Sequence, residues 1–137
     1  MNFGIITITP DRKKAVSIFK TAETTLEMIG TIDIRRFPAN VAKEYYGVIR
    51  ELISAIMLLD GLTAKGEGAH KSMIEYLELE YKEFQAKEIK LINELRMTRN
   101  RITYDGLFVR PEFIEKKLKD INAIINKLRH IIKNKLS

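Results

Sequence analysis

The strongest constraint on the fold is a segment in the middle of the chain that is apolar on nearly every side. It runs from Leu52 to Leu59, and apolar residues before it recur at helical spacing. A helix that is apolar all round must be enclosed by other elements. We therefore expect a central helix that begins at Pro38 and ends near Gly61, with the rest of the chain packed around it.

The N-terminal part of the chain favours an extended arm followed by a helix. Residues 1–9 contain a short β-branched stretch that suits an extended arm. Thr9 can cap a helix and Pro10 suits the first helical position, so a helix is predicted over 10–29. The three glycines within 61–68 predict a mobile loop after the central helix.

The second half of the chain is also helical. A helical pattern covers 69–103, and its polar stretch 82–88 leaves open whether it forms one helix or two. Gly106 ends this pattern and Pro111 begins a last helix. The apolar residues of that last helix step by four and three, a narrow seam that can pack inside a bundle or against another chain. They are Ile114, Leu118, Ile121, Ile125, Leu128 and Ile132. We expect a single all-α domain over 1–137, an antiparallel bundle of four or five helices.

The composition excludes several kinds of site. The chain has no cysteine, which removes disulfides, thiolate zinc sites and cysteine nucleophiles. It has only two histidines, so no metal site and no cofactor are expected. No apolar run approaches the roughly 20 residues of a membrane span. The first residues lack the pattern of a signal peptide, and a cytoplasmic location without membrane contact is expected.

Positive charge is concentrated at the C-terminal end. The formal net charge is +6, and residues 110–137 hold eight Lys or Arg against three acids. A basic face of this kind can bind nucleic acid, although a solvated lysine-rich helix face is an equally good interpretation. The candidates for nucleic-acid contact are Lys127, Arg129 and Lys133, with Arg96 and Arg101 from the preceding helix.

A polar segment at the end of the long helical pattern is the main candidate for function. Within 94–106 the chain places three arginines, an asparagine, a tyrosine and an aspartate: Arg96, Arg99, Asn100, Arg101, Tyr104 and Asp105. Guanidinium binds phosphate through two parallel hydrogen bonds, and tyrosine can stack on a base or donate a proton. The same residues also suit an ordinary helix end, where arginines meet exposed carbonyls. His70, at the start of a predicted helix, is a candidate neighbour as general base or phosphate ligand.

The spacing of Arg99, Asn100 and Tyr104 resembles the motif of HEPN domains. In that family, Arg and a polar residue are followed a few residues later by His. The Tyr-rich segment 42–50 and the segment 68–74 are similar to corresponding parts of an uncharacterised prokaryotic branch of the family. The resemblance covers most of the chain and implies a small helical bundle.

The resemblance also implies a function. HEPN proteins are commonly homodimers, and many are metal-independent ribonucleases that act as toxins beside a nucleotidyltransferase antitoxin. It implies that Arg99 and Asn100 hold the RNA phosphate and that Tyr104 occupies the position of the family's His. Tyrosine, with a pKa near 10, is a poor base at neutral pH. Two alternatives follow: a toxin-type endoribonuclease, or a non-catalytic module that binds RNA, a nucleotide or a protein partner.

Overall fold

The computed structural model describes residues 4–137, and these residues form an all-α bundle. The helices are α1 (Arg12–Ile29), α2 (Pro38–Leu59), α3 (Ala69–Glu80), α4 (Ala86–Asp105), α5 (Pro111–Glu115) and α6 (Leu118–Leu136). Two three-residue strands, β1 (Ile5–Thr7) and β2 (Leu62–Ala64), complete the described structure. The predicted helical fold is confirmed, with six helices instead of four or five, because a short break divides both the 69–103 pattern and the predicted last helix.

Helix α2 is the centre of the bundle. It contacts α1, α3, α4, α5, α6 and β2. Its buried residues lie on almost all sides, and Leu52, Ile53 and Ile56 are at most 1% exposed. Each such side chain contributes about 1.5–3 kcal/mol when it leaves water. The prediction of an enclosed central helix is confirmed.

The N-terminal arm forms a strand instead of lying free. Strand β1 pairs antiparallel with β2, so that Ile6 lies opposite Thr63. The loop predicted over 61–68 therefore contains a strand in its first half. Gly61 allows this reversal because its φ is +77°, and a Cβ there would lie 3.1 Å from the Ile8 carbonyl oxygen. Residues 1–3 of the predicted arm lie outside the described residues.

Helix α1 begins two residues later than predicted. Asp11, not Thr9, is the capping residue, and its Oδ1 accepts a hydrogen bond from the Lys14 backbone N–H at 3.0 Å. The helix start predicted from Thr9 and Pro10 is wrong because the backbone just before α1 is hydrogen-bonded to α2 instead. The Asp11 backbone N–H donates to the Leu58 carbonyl at 3.1 Å.

Two breaks divide the second half of the chain. The long pattern is broken at 81–85, where Gln85 and Glu88 form a capping box that begins α4. The predicted last helix is also two helices, because the chain turns between α5 and α6 at 116–117. Most of the apolar seam is buried inside the bundle, as Ile121 and Ile125 show, so it is not an exposed surface for another chain.

Asp60 joins three parts of the bundle at the end of α2. Its Oδ2 accepts hydrogen bonds from the hydroxyls of Tyr76 in α3 and Tyr81 after α3, the latter at 2.5 Å. Its Oδ1 accepts from Lys135 Nζ of α6 at 2.6 Å. Burial alone would raise the pKa of the Asp60 carboxyl. The hydrogen bonds from Lys135 and the two tyrosines outweigh burial, so the net pKa is lowered.

Replacement of Asp60 by Asn should destabilise the fold. The charge-assisted bonds of Lys135 and the tyrosines would be lost, so we expect the free energy of unfolding to fall by about 1–3 kcal/mol. Chemical denaturation of the two proteins at neutral pH measures this difference. The matched control is Asp120→Asn, because Asp120 is an exposed carboxylate in the first turn of α6. An equal loss in both variants would contradict the role of Asp60.

The effect of Asp60→Asn should depend on pH. The folded-state pKa of Asp60 lies below the unfolded value of about 3.9, so ionised Asp60 stabilises the protein fully above that value. Its contribution is lost as the pH falls through the folded-state pKa. The difference in unfolding free energy between wild type and variant should therefore narrow below about pH 4. If the difference in unfolding free energy stayed constant from pH 7 to pH 3, the charge of Asp60 would not stabilise the fold.

Candidate functional site

Three arginines from two helices lie close enough to the buried Tyr46 for their charges to oppose the rise that burial causes in its pKa. Arg50 lies one turn after Tyr46 on α2, and Arg96 and Arg99 share a face of α4. On α4 the two arginines follow Leu95, which is 1% exposed, where the apolar stripe of the helix ends. We call Arg50, Arg96 and Arg99 the arginine cluster. All three side chains are half-buried, in reach of both the core margin and solvent.

His70 and Tyr46 lie beside the arginine cluster. The rings of the two residues are 6.0 Å apart between centroids and tilted by 53°. Tyr46 is buried at 2% exposure, whereas His70, in the first turn of α3, is half-buried. The group therefore combines residues from α2, α3 and α4, three helices that contact one another in pairs.

Burial and the charges of the cluster together shift the pKa of both rings. Burial lowers the pKa of His70 below its usual value, and the positive charges of Arg50, Arg99 and Arg96 lower it further. The imidazole is therefore neutral at neutral pH, with one nitrogen free to accept a proton. Burial raises the pKa of Tyr46 to about 12, although the same arginines oppose that shift. The phenol thus keeps its proton and can donate a hydrogen bond.

No carboxylate among the described residues forms an ion pair with the arginine cluster, although the charge of Arg50 partly offsets the rise that burial causes in the pKa of Glu51. The ion pairs formed within residues 4–137 include none of its three members. Arg99 Nη1 donates to Asn100 Oδ1 at 3.2 Å, and Arg96 Nε donates to Asn93 Oδ1 at 3.4 Å. Both acceptors are uncharged amides. Arg96 and Arg99 consequently keep a positive charge that their hydrogen-bond partners do not balance, which favours the binding of an anion.

Only part of the polar segment predicted from the sequence belongs to this site. Arg96, Arg99 and Asn100 lie there, and His70 is its neighbour as expected. Tyr104 does not lie with them: it follows Arg99 by five residues, about 140° around the helix, and is 74% exposed. Arg101 and Asp105 are exposed as well.

The sequence did not point to Arg50 or Tyr46 as site residues. Both belong to the central helix, where the sequence pattern is dominated by residues of the core. Their spacing of four was the available signal, because it places an aromatic and a cation on one face. The face of α2 that meets α4 depends on how the two helices pack. That packing depends on residues distant in sequence and cannot be derived from the pattern of α2 alone.

The basic residues of α6 have other partners. Lys127 Nζ donates to Glu88 Oε1 at 2.7 Å, and the Arg129 guanidinium contacts Glu23 through Nε at 2.6 Å. These pairs join α6 to α4 and to α1. Lys133 is exposed. Two of the three α6 candidates for nucleic-acid contact are thus engaged in ion pairs within the chain.

The described residues contain no cluster suited to a metal ion. Nowhere in 4–137 do three or more His, Asp or Glu side chains come together in that way. The same part of the chain has no helix with the length and apolarity to cross a membrane. The groups that the site offers for chemistry are therefore cations, an imidazole and a phenol.

Similarity to known proteins does not assign a function to this site. Comparison with protein-family models, with curated proteins and with solved structures finds no match to this chain. The function must therefore be argued from the chemistry of the arginine cluster and the two rings beside it.

Proposed function

We propose that this protein binds RNA or a nucleotide through a phosphate group held by the arginine cluster. The observation that carries the proposal is that Arg50, Arg96 and Arg99, from two helices, all lie close enough to His70 and Tyr46 to shift the pKa of both rings, while no ion pair among the described residues includes any of the three. Like charges repel when they are held together, and a bound anion relieves that repulsion. Phosphate suits the site because each guanidinium can offer it two parallel hydrogen bonds.

The remaining groups of the site suit a phosphoester. The Tyr46 hydroxyl stays protonated and can donate to a phosphate oxygen. The chain's net charge of +6 attracts a polyanion from a distance. These features support RNA and a nucleotide equally well as the ligand of the site.

The neutral imidazole of His70 supports a second candidate function, metal-independent cleavage of RNA. A neutral imidazole can take the proton from an RNA 2′-hydroxyl as its oxygen attacks the adjacent phosphorus. The bond between phosphorus and the 5′-oxygen then breaks, that oxygen takes a proton from the His70 imidazolium or from water, and a 2′,3′-cyclic phosphate remains, while guanidiniums stabilise the negative charge. The HEPN resemblance implies the same reaction in a homodimeric toxin paired with a nucleotidyltransferase antitoxin. Here His70, not Tyr104, is proposed as the proton acceptor.

Loss of Arg99 should weaken phosphate binding without unfolding the protein. A charge-assisted hydrogen bond is lost in Arg99→Ala, so the affinity for a short RNA should fall by about 1–3 kcal/mol. Fluorescence anisotropy with a labelled oligoribonucleotide at fixed salt measures the change. Thermal unfolding should differ little from wild type, since Arg99 is only half-buried.

The comparison variant for this test is Arg101→Ala. It removes the same charge from the same helix end, but Arg101 is exposed and lies outside the cluster. We expect a clearly smaller loss of affinity than in Arg99→Ala. Equal losses would indicate general attraction by the helix end and would refute a specific site at the cluster.

Binding of a phosphodiester should strengthen as the pH falls. A bound anion beside His70 favours the charged imidazole, so the ligand and a proton bind together. A phosphodiester keeps its charge over this range, and its affinity should therefore rise between about pH 8 and pH 5. Anisotropy titrations at constant ionic strength test this. His70→Gln should remove the pH dependence, whereas His130→Gln should retain it, because His130 is exposed on α6.

Cleavage and simple binding are separated by a direct assay. The pure protein is incubated with a mixed RNA pool, with and without EDTA. A metal-independent ribonuclease should give cyclic-phosphate ends in both reactions, and His70→Gln should abolish them while retaining binding. Intact RNA under conditions where the protein binds it would leave the non-catalytic module as the function.

A further inference from the structure

The side of α4 opposite Arg99 carries an apolar groove. It lies between α4 and the segment that leads into α5, with a cavity volume of about 680 Å³. Its apolar lining comes from Met97, Leu107, Phe108 and Phe113. Phe108 is 78% exposed and Met97 is 56% exposed. Large apolar side chains that form a contiguous exposed patch mark an interaction site.

The rim of the groove is positively charged. Lys90, Arg101 and Arg110 line it and are exposed, and the ion pairs found within residues 4–137 include none of them. The one carboxylate in the lining, Glu94, lies 3.2 Å from Lys117 Nζ and is neutralised by it. A ligand of this groove must therefore present apolar groups to the floor and negative charge to the rim.

We propose that the groove binds an acidic amphipathic helix of another protein. From Lys90 to Arg101 the groove follows α4 for about 16 Å, the length of three helical turns. A helix laid along it would place apolar residues at positions i, i+3 or i+4, and i+7 against Met97 and Phe108. Its flanking Glu or Asp residues would meet the three unpaired cations.

A second copy of this chain is a poorer occupant. A symmetric contact through this groove would bring two sets of the same three cations together, and like charges across an interface are unfavourable. The proposal is also independent of the arginine cluster. Arg99 lies on the core side of α4, whereas Met97 and Arg101 lie on the groove side.

The test selects peptides that bind to the groove and to no other part of the surface. A phage-displayed library of helical peptides is selected on the wild-type protein and counter-selected on Phe108→Ser. The surviving peptides should carry apolar residues at helical spacing and an excess of Glu and Asp. Binders that are neutral or basic, or the absence of any binder that depends on Phe108, would overturn the proposal.

Affinities of a selected peptide then test each part of the groove. Met97→Ser and the charge reversal Arg101→Glu should each weaken binding at least tenfold by fluorescence anisotropy, and added salt should weaken the wild-type complex. The matched controls are Leu79→Ser, since Leu79 is 65% exposed on α3, and Lys13→Glu on α1. Both controls should bind as wild type does. Equal weakening by the controls, or concentration-dependent dimerisation that Phe108→Ser abolishes, would refute an acidic helix as the occupant.

Discussion

The enclosure of α2 on all sides is the constraint on which the rest of the structure depends. No single neighbour can cover a helix that is apolar all round, and here five helices and a strand contact it. The two-stranded sheet of β1 and β2 lies at its C-terminal end, and Asp60 links that end to α3 and α6. Because α2 contacts both α3 and α4, its packing also decides which of their polar residues meet.

The candidate site forms where apolar stripes give way to polar residues at the margin of the core. On α4 the stripe of Ile92 and Leu95 continues into Arg99, and on α2 the buried Tyr46 is followed by Arg50. Partial burial at this margin weakens the screening of charge by water, so neighbouring cations act strongly on His70. Well-packed helices hold these groups in place, which favours binding of an anion without rearrangement.

Positive charge has three different settings in this protein. Lys127 and Arg129 bind carboxylates of neighbouring helices and hold α6 against the bundle. The arginine cluster is half-buried and forms no ion pair within residues 4–137, whereas the cations around Phe108 are exposed beside an apolar groove. Residue counts treat all of these cations alike. Their roles differ because the pairing of a charge and its exposure to water determine what it can still bind.

Residue patterns along the chain were enough to predict the helical class, the central position of α2, the stop at Gly106 and the polar character of the region around Arg99. These features depend on periodicity and on local backbone preferences, which a sequence carries directly. Long-range packing was needed to show that Asp11 caps α1, that Arg50 joins the cluster and that Tyr104 does not. Each of these depends on which surfaces of elements distant in sequence come into contact, and that is set by packing of the whole core.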